Sequence, residues 1–509
     1  MRSAGRETPP VERGTLCAFV AASTVDEDRL LLDEPTWDDL DLDAVAEHLD
    51  RTVSLPGRMV LYRMLRTPSL SASVLAERER LIALFEKDQG LGAALREELA
   101  RLNRTVSAEE LVRLLWGAPP EALPFPWVYP LLAVAAVVTL AAAVAIGKLW
   151  LLATVAVLMV NSTIHFSTRA RWQGELEALR FVAALLVAAR RVARLEAEGL
   201  GDCRRRLAGA VRQTKPLARQ IAWLSSSGMR DLLYDYVNMA FLLELRAYRR
   251  ILVRLPATRP LLREVFLSLG ELDALRGVAC WRGERNGWCR PELDDGAPGL
   301  EIEDGTHPLL DGAIPNSVIL SRGALVTGAN MSGKSTFLRL LGINAVLAQS
   351  IGTCTARRYR ATRLRVLSSM RAADDVTRGK SHYLAEAERL HTLVRLVGSE
   401  PTLCLIDELL SGTNAVERLA ASAAILEFLS QAGALVVAAT HDLELAEQLR
   451  DAYDPYNFAD DFADRGLQFD HRIRVGLATT RNAIELLERL GYPRQLVERA
   501  RGRVCRPPA

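Results

Sequence analysis

The stretch LVTGANMSGKST, residues 325–336, decides how the C-terminal part of the chain folds. Within it, Gly328-Ala329-Asn330-Met331-Ser332-Gly333-Lys334-Ser335 fits G-x-x-x-x-G-K-[ST]. A short apolar run at 324–327 precedes the motif and a helix-like run at 337–349 follows it, which is the strand–loop–helix context of a phosphate-binding loop. Glycines let backbone N–H groups close around phosphate oxygens, and the helix that follows points its positive end at them. Gly328, Asn330, Met331, Ser332, Gly333, Lys334, Ser335 and Thr336 are therefore the candidate nucleotide cradle. Lys334 would neutralise the β- and γ-phosphates of ATP, and Ser335 would offer its hydroxyl to Mg²⁺.

Outward from this loop, a second apolar run at 402–406 ends in Asp407-Glu408. A strand ending in two carboxylates is the expected partner of such a loop. Asp407 is the candidate Mg²⁺ residue and Glu408 the candidate base that orients and deprotonates the attacking water. Gly412-Thr413-Asn414 reads as a tight loop. A third run, 434–439, ends in Thr440-His441-Asp442, where His441 is the candidate sensor of the γ-phosphate.

The N-terminal half reads as helical, with apolar positions at Leu40, Leu42, Val45 and Leu49, a break at Pro56-Gly57, and helices over 59–65 and 73–85. Residues 127–147 carry no charge; after Lys148, residues 149–168 hold only His165 as an ionisable group. Each run is long enough to cross a hydrocarbon core. Trp127, Tyr129 and Trp150 stand at the ends, and arginines flank both sides, which puts the flanks in the cytoplasm. A two-helix transmembrane hairpin is expected, in the cell membrane, with both termini and the nucleotide domain cytoplasmic. The alternative is a hairpin buried in a large soluble protein. Residues 171–255 are amphipathic helix, one face apolar (Leu176, Leu179, Val182, Leu185, Leu186) and the other rich in arginine (Arg190, Arg191, Arg194, Arg204, Arg205, Arg206). Such a face meets DNA, anionic headgroups or only solvent. The formal net charge is +2, so no global charge argument for nucleic acid exists. The 7 cysteines are scattered with no C-x-x-C pair, which indicates neither a zinc site nor a disulfide framework. The expected domains are a weakly structured tail (1–34), a helical core (35–126), the hairpin (127–168), a helical core and lever (169–290) and the nucleotide domain (291–509).

GANMSGKST, DELLSGTNAVE and ATHDLEL, in this order and spacing, resemble the ATPase domain of the MutS family of DNA mismatch-repair proteins. The likeness extends to Thr306-His307-Pro308 and Ile314-Pro315-Asn316 upstream, and to residues 467–471 and 491–493 downstream. LDRTVSLPGRMVLYRMLRTP resembles the start of that family's helical core. The resemblance implies an α/β P-loop (ABC-type) ATPase domain behind an all-α core and lever, here interrupted by the hairpin. It implies a homodimer with composite sites, ATP and Mg²⁺ as cofactors, and DNA as partner. Gly379-Lys380-Ser381-His382-Tyr383 with Glu386 resembles the signature whose serine reaches the partner's γ-phosphate, so Ser381 would act in trans. His471 matches a histidine near the base, Asn330 a loop asparagine near the γ-phosphate, and Ile314 the nucleotide-contacting segment.

Three departures shape the expectation. None of the 12 phenylalanines sits in Phe-x-Glu, the family's mismatch-reading motif, and the chain starts at the helical core. The connector domain is missing, and the hairpin stands roughly where the family's DNA clamp interrupts the core. Ala313 precedes Ile314 where an aromatic often stacks on adenine. The expected function is therefore a membrane-anchored, MutS-like ATPase with ATP-dependent DNA binding. The alternative is a membrane scaffold or signalling ATPase that binds no nucleic acid. A transporter ATPase fits less well, because no Leu-Ser-Gly-Gly-Gln occurs.

Overall fold

The computed structural model describes residues 11–24, 30–102, 106–118, 125, 127–171, 173–195, 197, 199–225, 232–329, 332–370, 382–410, 413–463, 466–477 and 492–504. The chain divides into two compact units. One comprises residues 1–25, 50–63 and 80–280; the other comprises 26–49, 64–79 and 281–509.

The first unit is helical. Within the stretch expected as a tail, Arg13–Ser23 is a helix that buries Leu16, Phe19 and Val20. Phe19 packs edge-on to Trp116 with ring centroids 5.1 Å apart, and Phe266 closes the trio at 5.4 Å from Trp116. No long apolar period announces this helix; three aromatic rings from distant segments hold it. Helix Leu243–Gly283 runs through Pro256 and Pro260 without a break. Two prolines cost about 3 kcal/mol each inside a helix. Burial of Leu255, Leu262, Val265, Phe266 and Leu269 along one stripe outweighs that cost. Helix Gln173–Val192 buries Leu179, Val182, Leu185 and Leu186 and leaves Arg190 and Arg191 exposed, as its period predicts. Asp273, fully buried, accepts from the backbone N–H groups of Val53 and Ser54, from Ser54 Oγ and from Arg276. It thereby fixes Ser54, whose Oγ accepts from the Gly57 N–H and caps the start of the Leu55–Arg66 helix.

The apolar runs form two helices, Val128–Ala145 and Trp150–Arg171, joined by a turn with Gly147 at φ 151°. Eighteen residues of helix span about 27 Å. Leu131, Val134, Val138, Val144, Leu152 and Met159 are exposed; only 22% and 11% of the two most apolar windows are buried. The hairpin is therefore not the core of its unit. Helix Leu232–Phe241 packs against it, and Asn161 Nδ2 donates to the Ala240 carbonyl at 2.7 Å.

The second unit carries two sheets. The smaller holds β1 (Glu292–Asp294), β2 (Leu300–Gly305), β3 (Asn316–Leu320) and β5 (Arg358–Thr362), in the order β1-β5-β2-β3. The larger holds β4 (Gly323–Thr327), β6 (Arg365–Ser369), β7 (Thr402–Asp407), β8 (Leu435–Thr440), β9 (Tyr453–Ala463) and β10 (Gly466–Val475). Their order is β10-β9-β4-β8-β7-β6, all parallel except the antiparallel pair β9–β10. β4 and β8 are buried along their whole length, which is why both read as unbroken apolar runs. The first helical run of this unit splits in two, Glu34–Asp39 and Leu42–Leu49, at Asp41 with φ 50°.

Candidate nucleotide site

Strand register assembles the site. Thr327 of β4 lies beside Thr440 of β8, and Asp407 of β7 lies beside Ala439 of β8. The three parallel strands thus end together, and the segments after them, which start at Gly328, Glu408 and His441, meet at one edge. Ligands of open parallel sheets bind at such strand ends.

The loop after β4 needs glycine at both ends. Gly328 has φ 150° and Gly333 has φ 114°. A side chain at Gly328 would stand 3.0 Å from the Phe458 carbonyl oxygen, and one at Gly333 would stand 3.3 Å from His471 Nδ1. Helix Lys334–Ile351 starts immediately after. Lys334 is buried, and its ammonium donates to the carbonyls of Gly328 and Ala329 at 2.8 and 2.9 Å. Ser332 Oγ is buried and makes no hydrogen bond among the described residues.

The Ser335 hydroxyl hydrogen-bonds to Asp407. Burial pushes the Asp407 carboxyl above the ordinary carboxylate range; Ser335, Lys334 and Arg339 pull it back, while the Glu408 carboxylate pushes with burial. Glu408 has φ 56°, a left-handed conformation that costs a residue with a side chain about 1–3 kcal/mol. Its N–H is fixed on the Ala439 carbonyl at 3.0 Å. Its Oε1 stands 3.2 Å from His441 Nδ1. His441 adjoins Asp442, which Arg418 holds through two contacts of 3.2 Å. His441 does not line the cavity itself; it reaches it through Glu408.

A cavity of about 670 Å³ opens over the loop, lined by Ile314, Lys334, Ser335, Thr336, Asp407, Glu408 and His471 among others. That volume lies within the ordinary range for ligand pockets. His471, also left-handed at φ 53°, sits with Nδ1 3.0 Å from the Ser332 carbonyl. Asn316 pins that stretch of β10, donating to the His471 carbonyl at 3.0 Å and accepting from the Ile473 N–H at 2.7 Å. Ile314 is half-exposed at the rim. His307 lies buried in the wall with Nδ1 accepting from the Leu309 N–H, and burial pushes its pKa down to about 4. Asn330, Met331 and Ser381 lie outside the described residues.

Sequence reading missed the support of this site. Asp39 accepts from Ser368 Oγ at 2.6 Å and from the Met370 N–H at 2.9 Å, and Thr36 Oγ1 accepts from the Ser368 N–H at 3.0 Å. They cover the edge strand β6 just where Ser369 and Met370 enter the cavity wall. Arg339, on the helix after the loop, donates to the Asp39 carbonyl at 2.8 Å. Asp33 caps the Glu34–Asp39 helix; burial pushes its carboxyl up, but hydrogen bonds from Arg389 and Thr36 outweigh this and hold it below the ordinary value. A local motif could have flagged only the Asp33-Glu-Pro start; the partners lie more than 300 residues away.

A nucleotide with Mg²⁺ fits this donor set. The buried Ser332 hydroxyl, the Lys334 ammonium on its own loop's carbonyls, and the Asp407 carboxyl beside the Ser335 hydroxyl are chemically suited to phosphate oxygens and a cation. Two hard oxygens and no larger His/Cys/Asp/Glu cluster among the described residues suit Mg²⁺, which takes few protein ligands.

Comparison with known proteins gives the same stretch. Residues 324–506 match the family model for MutS domain V. The chain is 34% identical over 253 residues to the DNA mismatch repair protein MutS 2 of Halobacterium salinarum, covering 47% of this chain and 29% of that protein. It is 32% identical over 271 residues to the DNA mismatch repair protein MutS of Natronomonas pharaonis, covering 51% and 31%. With the MutS protein of Thermus thermophilus it shares 34% over 249 residues, covering 47% and 30%. The matched part is thus about half of this chain and under a third of each relative.

Proposed function

We propose that this chain, whose residues 324–506 match the model for MutS domain V, is a membrane-anchored ATPase of the MutS family that couples Mg²⁺-dependent ATP hydrolysis to DNA binding. The observation that carries the hydrolytic part is the convergence of Ser335, after β4, with Asp407 and Glu408, at the end of β7, on either side of β8. ATP with Mg²⁺ supplies a γ-phosphoryl group whose charge the metal partly neutralises. Lys334 leaves the carbonyls of Gly328 and Ala329 and adds its charge there. Ser335 and Asp407 would hold the metal. Glu408, oriented by His441, accepts the proton of the attacking water. Ser332 Oγ and the loop N–H groups receive phosphate oxygens, Ile314 and His471 bound the base side, and Asn330, Met331 and Thr336 complete the cradle. Ser381 of a second copy would close the site in a homodimer.

The exposed hairpin supports the anchor: two helices of membrane length turn apolar surfaces outward. DNA binding rests on the family alone. The second reading, a membrane scaffold or signalling ATPase, draws on the arginine-rich helices, where Arg191 pairs with Glu98 and Arg205 with Asp202. Such pairing consumes charge that phosphates would otherwise meet.

Steady-state ATPase assays on the full chain test the core of this proposal. Lys334→Ala should weaken nucleotide binding, and Glu408→Gln should cut turnover by about 10²-fold or more while ATP stays bound. Parental rates in both variants would sink the site assignment. DNA affinity that falls steeply with salt decides for the first reading; no binding at low salt decides for the second.

A further inference from the structure

The 7 cysteines look scattered in sequence, but the fold sets two of them opposite each other. Cys289 lies in the segment that leads the chain into β1, and Cys354 lies just past the end of the Lys334–Ile351 helix. They pair as an isolated antiparallel bridge. The Cys289 N–H donates to the Cys354 carbonyl at 2.9 Å, and the Cys354 N–H donates to the Cys289 carbonyl at 3.0 Å. Residues that exchange both backbone bonds stand with Cα atoms about 5.5 Å apart, and their side chains leave the same side of the ladder. A disulfide joins Cα atoms about 4.4–6.8 Å apart. The backbone therefore already holds this pair at disulfide spacing, and both are free thiols.

The two thiols differ in access. Cys354 is fully buried, with Sγ 3.6 Å from the Asn344 carbonyl, while Cys289 is half-buried next to the exposed Arg290. A small molecule from solvent therefore meets Cys289 first. Burial pushes the Cys289 thiol up to about 11, against a Tyr359 backbone hydrogen bond and the Arg282 guanidinium, which favour its thiolate. Such a thiol reacts slowly, so the pair stays reduced until an oxidising reagent is abundant. Directly opposed Cβ atoms stand about 4.5–5.5 Å apart, whereas a disulfide holds them at about 3.5–4.5 Å. Closing the bond would draw the two segments together by about 1 Å, and a bond formed under such tension is readily reduced again. Neither cysteine is among the described residues that line the nucleotide cavity.

We propose that Cys289 and Cys354 form a reversible disulfide, closed by exchange with a small-molecule disulfide. The Cys289 thiolate attacks one sulfur of the reagent; that S–S bond breaks, and the leaving thiolate takes up the proton that Cys289 has lost. Cys354 then attacks Cys289 Sγ, the mixed disulfide breaks, and the second thiolate leaves with the Cys354 proton. Two protein thiols are oxidised to one disulfide, and one small disulfide is reduced to two thiols. The new bond staples the segment that enters β1 to the far end of the helix that begins with Lys334. This inference depends on neither the membrane nor the nucleotide reading.

The test incubates the folded full chain, in a neutral detergent, with oxidised glutathione and maps the products by mass spectrometry of unreduced peptides. A peptide linking Cys289 to Cys354 should appear as two free thiols are lost, and dithiothreitol should restore both. The oxidised parent should melt several degrees above the reduced one, because the bond closes a long loop. Cys354→Ala should halt the exchange at the mixed disulfide, so that Cys289 keeps one glutathione. Cys289→Ser, at a half-buried position where folding is least at risk, should leave Cys354 unmodified and abolish the rise in melting temperature. A parent that stops at glutathione on Cys289 overturns the pair, as does one whose Cys289 links to the exposed Cys280 instead. Retention of both thiols by the parent under excess oxidised glutathione overturns it as well.

Discussion

Two carboxylates lie low in the protein, Asp273 in the helical unit and Asp407 in the nucleotide unit, and burial pushes both above the ordinary carboxylate value. Their surroundings differ. Asp273 is enclosed by two backbone N–H groups, the Ser54 hydroxyl and the Arg276 guanidinium, and no side of it faces solvent. Asp407 faces a cavity, holds the Ser335 hydroxyl, and has a second carboxylate, Glu408, beside it. The backbone follows the same division. Asp273 sits inside a regular helix, whereas Glu408 is held in a left-handed conformation. A buried carboxylate whose donors come entirely from the protein is part of the fold. One that faces a cavity beside a lysine, a hydroxyl and a second carboxylate is the one we propose for the cation.

The contrast is most strongly exposed by removing Asp273. Asp273→Ala leaves Arg276 buried without its carboxylate and releases Ser54, the residue that caps the Leu55–Arg66 helix. Breaking a buried ion pair costs about 3–5 kcal/mol, and chemical denaturation of the full chain should register a loss of that size. Gly57 sharpens the point, because a Cβ there would stand 2.2 Å from Asp273 Oδ2. Gly57→Ala should therefore destabilise too. A loss below about 1 kcal/mol for Asp273→Ala would mean that the enclosure contributes little.

Asp39 lies between these extremes, since its two hydrogen bonds hold the edge strand that borders the cavity. Asp39→Ala leaves the Ser368 hydroxyl and the Met370 N–H without their acceptor, at about 1–3 kcal/mol. Because Ser369 and Met370 line the cavity, the loss should appear in the apparent KM for ATP as well as in stability. A change confined to stability would separate the segment from the site.

How far these features could be read in advance differs between the units. The strand–loop–helix around Lys334, the carboxylates after β7 and the histidine after β8 stand in the sequence as local patterns, because each is a strand end that must carry chemistry. The hairpin was legible for the opposite reason: 20 residues without charge leave few alternatives. The Arg13–Ser23 helix was not, since its hold on Trp116 and Phe266 is tertiary. Neither was the assignment of residues 26–49 to the nucleotide unit, which depends on bonds from Asp39 and Thr36 to a strand more than 300 residues on. The left-handed backbone of Glu408 has no sequence signature at all; only glycine announces such a conformation.

His307 tests the cavity wall by pH. Its folded pKa of about 4 lies below the ordinary 6.5, so the unfolded chain binds the extra proton between those values. The stability it contributes is present above about 6.5 and is lost as pH falls towards 4. Linkage gives about 2 kcal/mol between pH 7 and pH 5. His307→Gln should flatten that part of the stability profile relative to the parent. Equal slopes would show that the ring is solvated rather than held neutral in the wall.

Asp407→Asn gives the smallest change in stability and the most direct test of the contrast with Asp273. A carboxyl raised in the folded state lowers stability as pH climbs from the ordinary carboxylate value through the raised one. At neutral pH the ionised form is therefore a cost to the nucleotide-free protein. The neutral amide removes that cost and the repulsion from Glu408, and a gain of about 1 kcal/mol, or roughly 2–4 °C in Tm, should follow without Mg²⁺ or nucleotide. Added Mg²⁺ and ATP should then reverse the order, stabilising the parent and leaving the variant where it was. A variant less stable than the parent in both conditions would make Asp407 a second Asp273, a group the fold needs for itself.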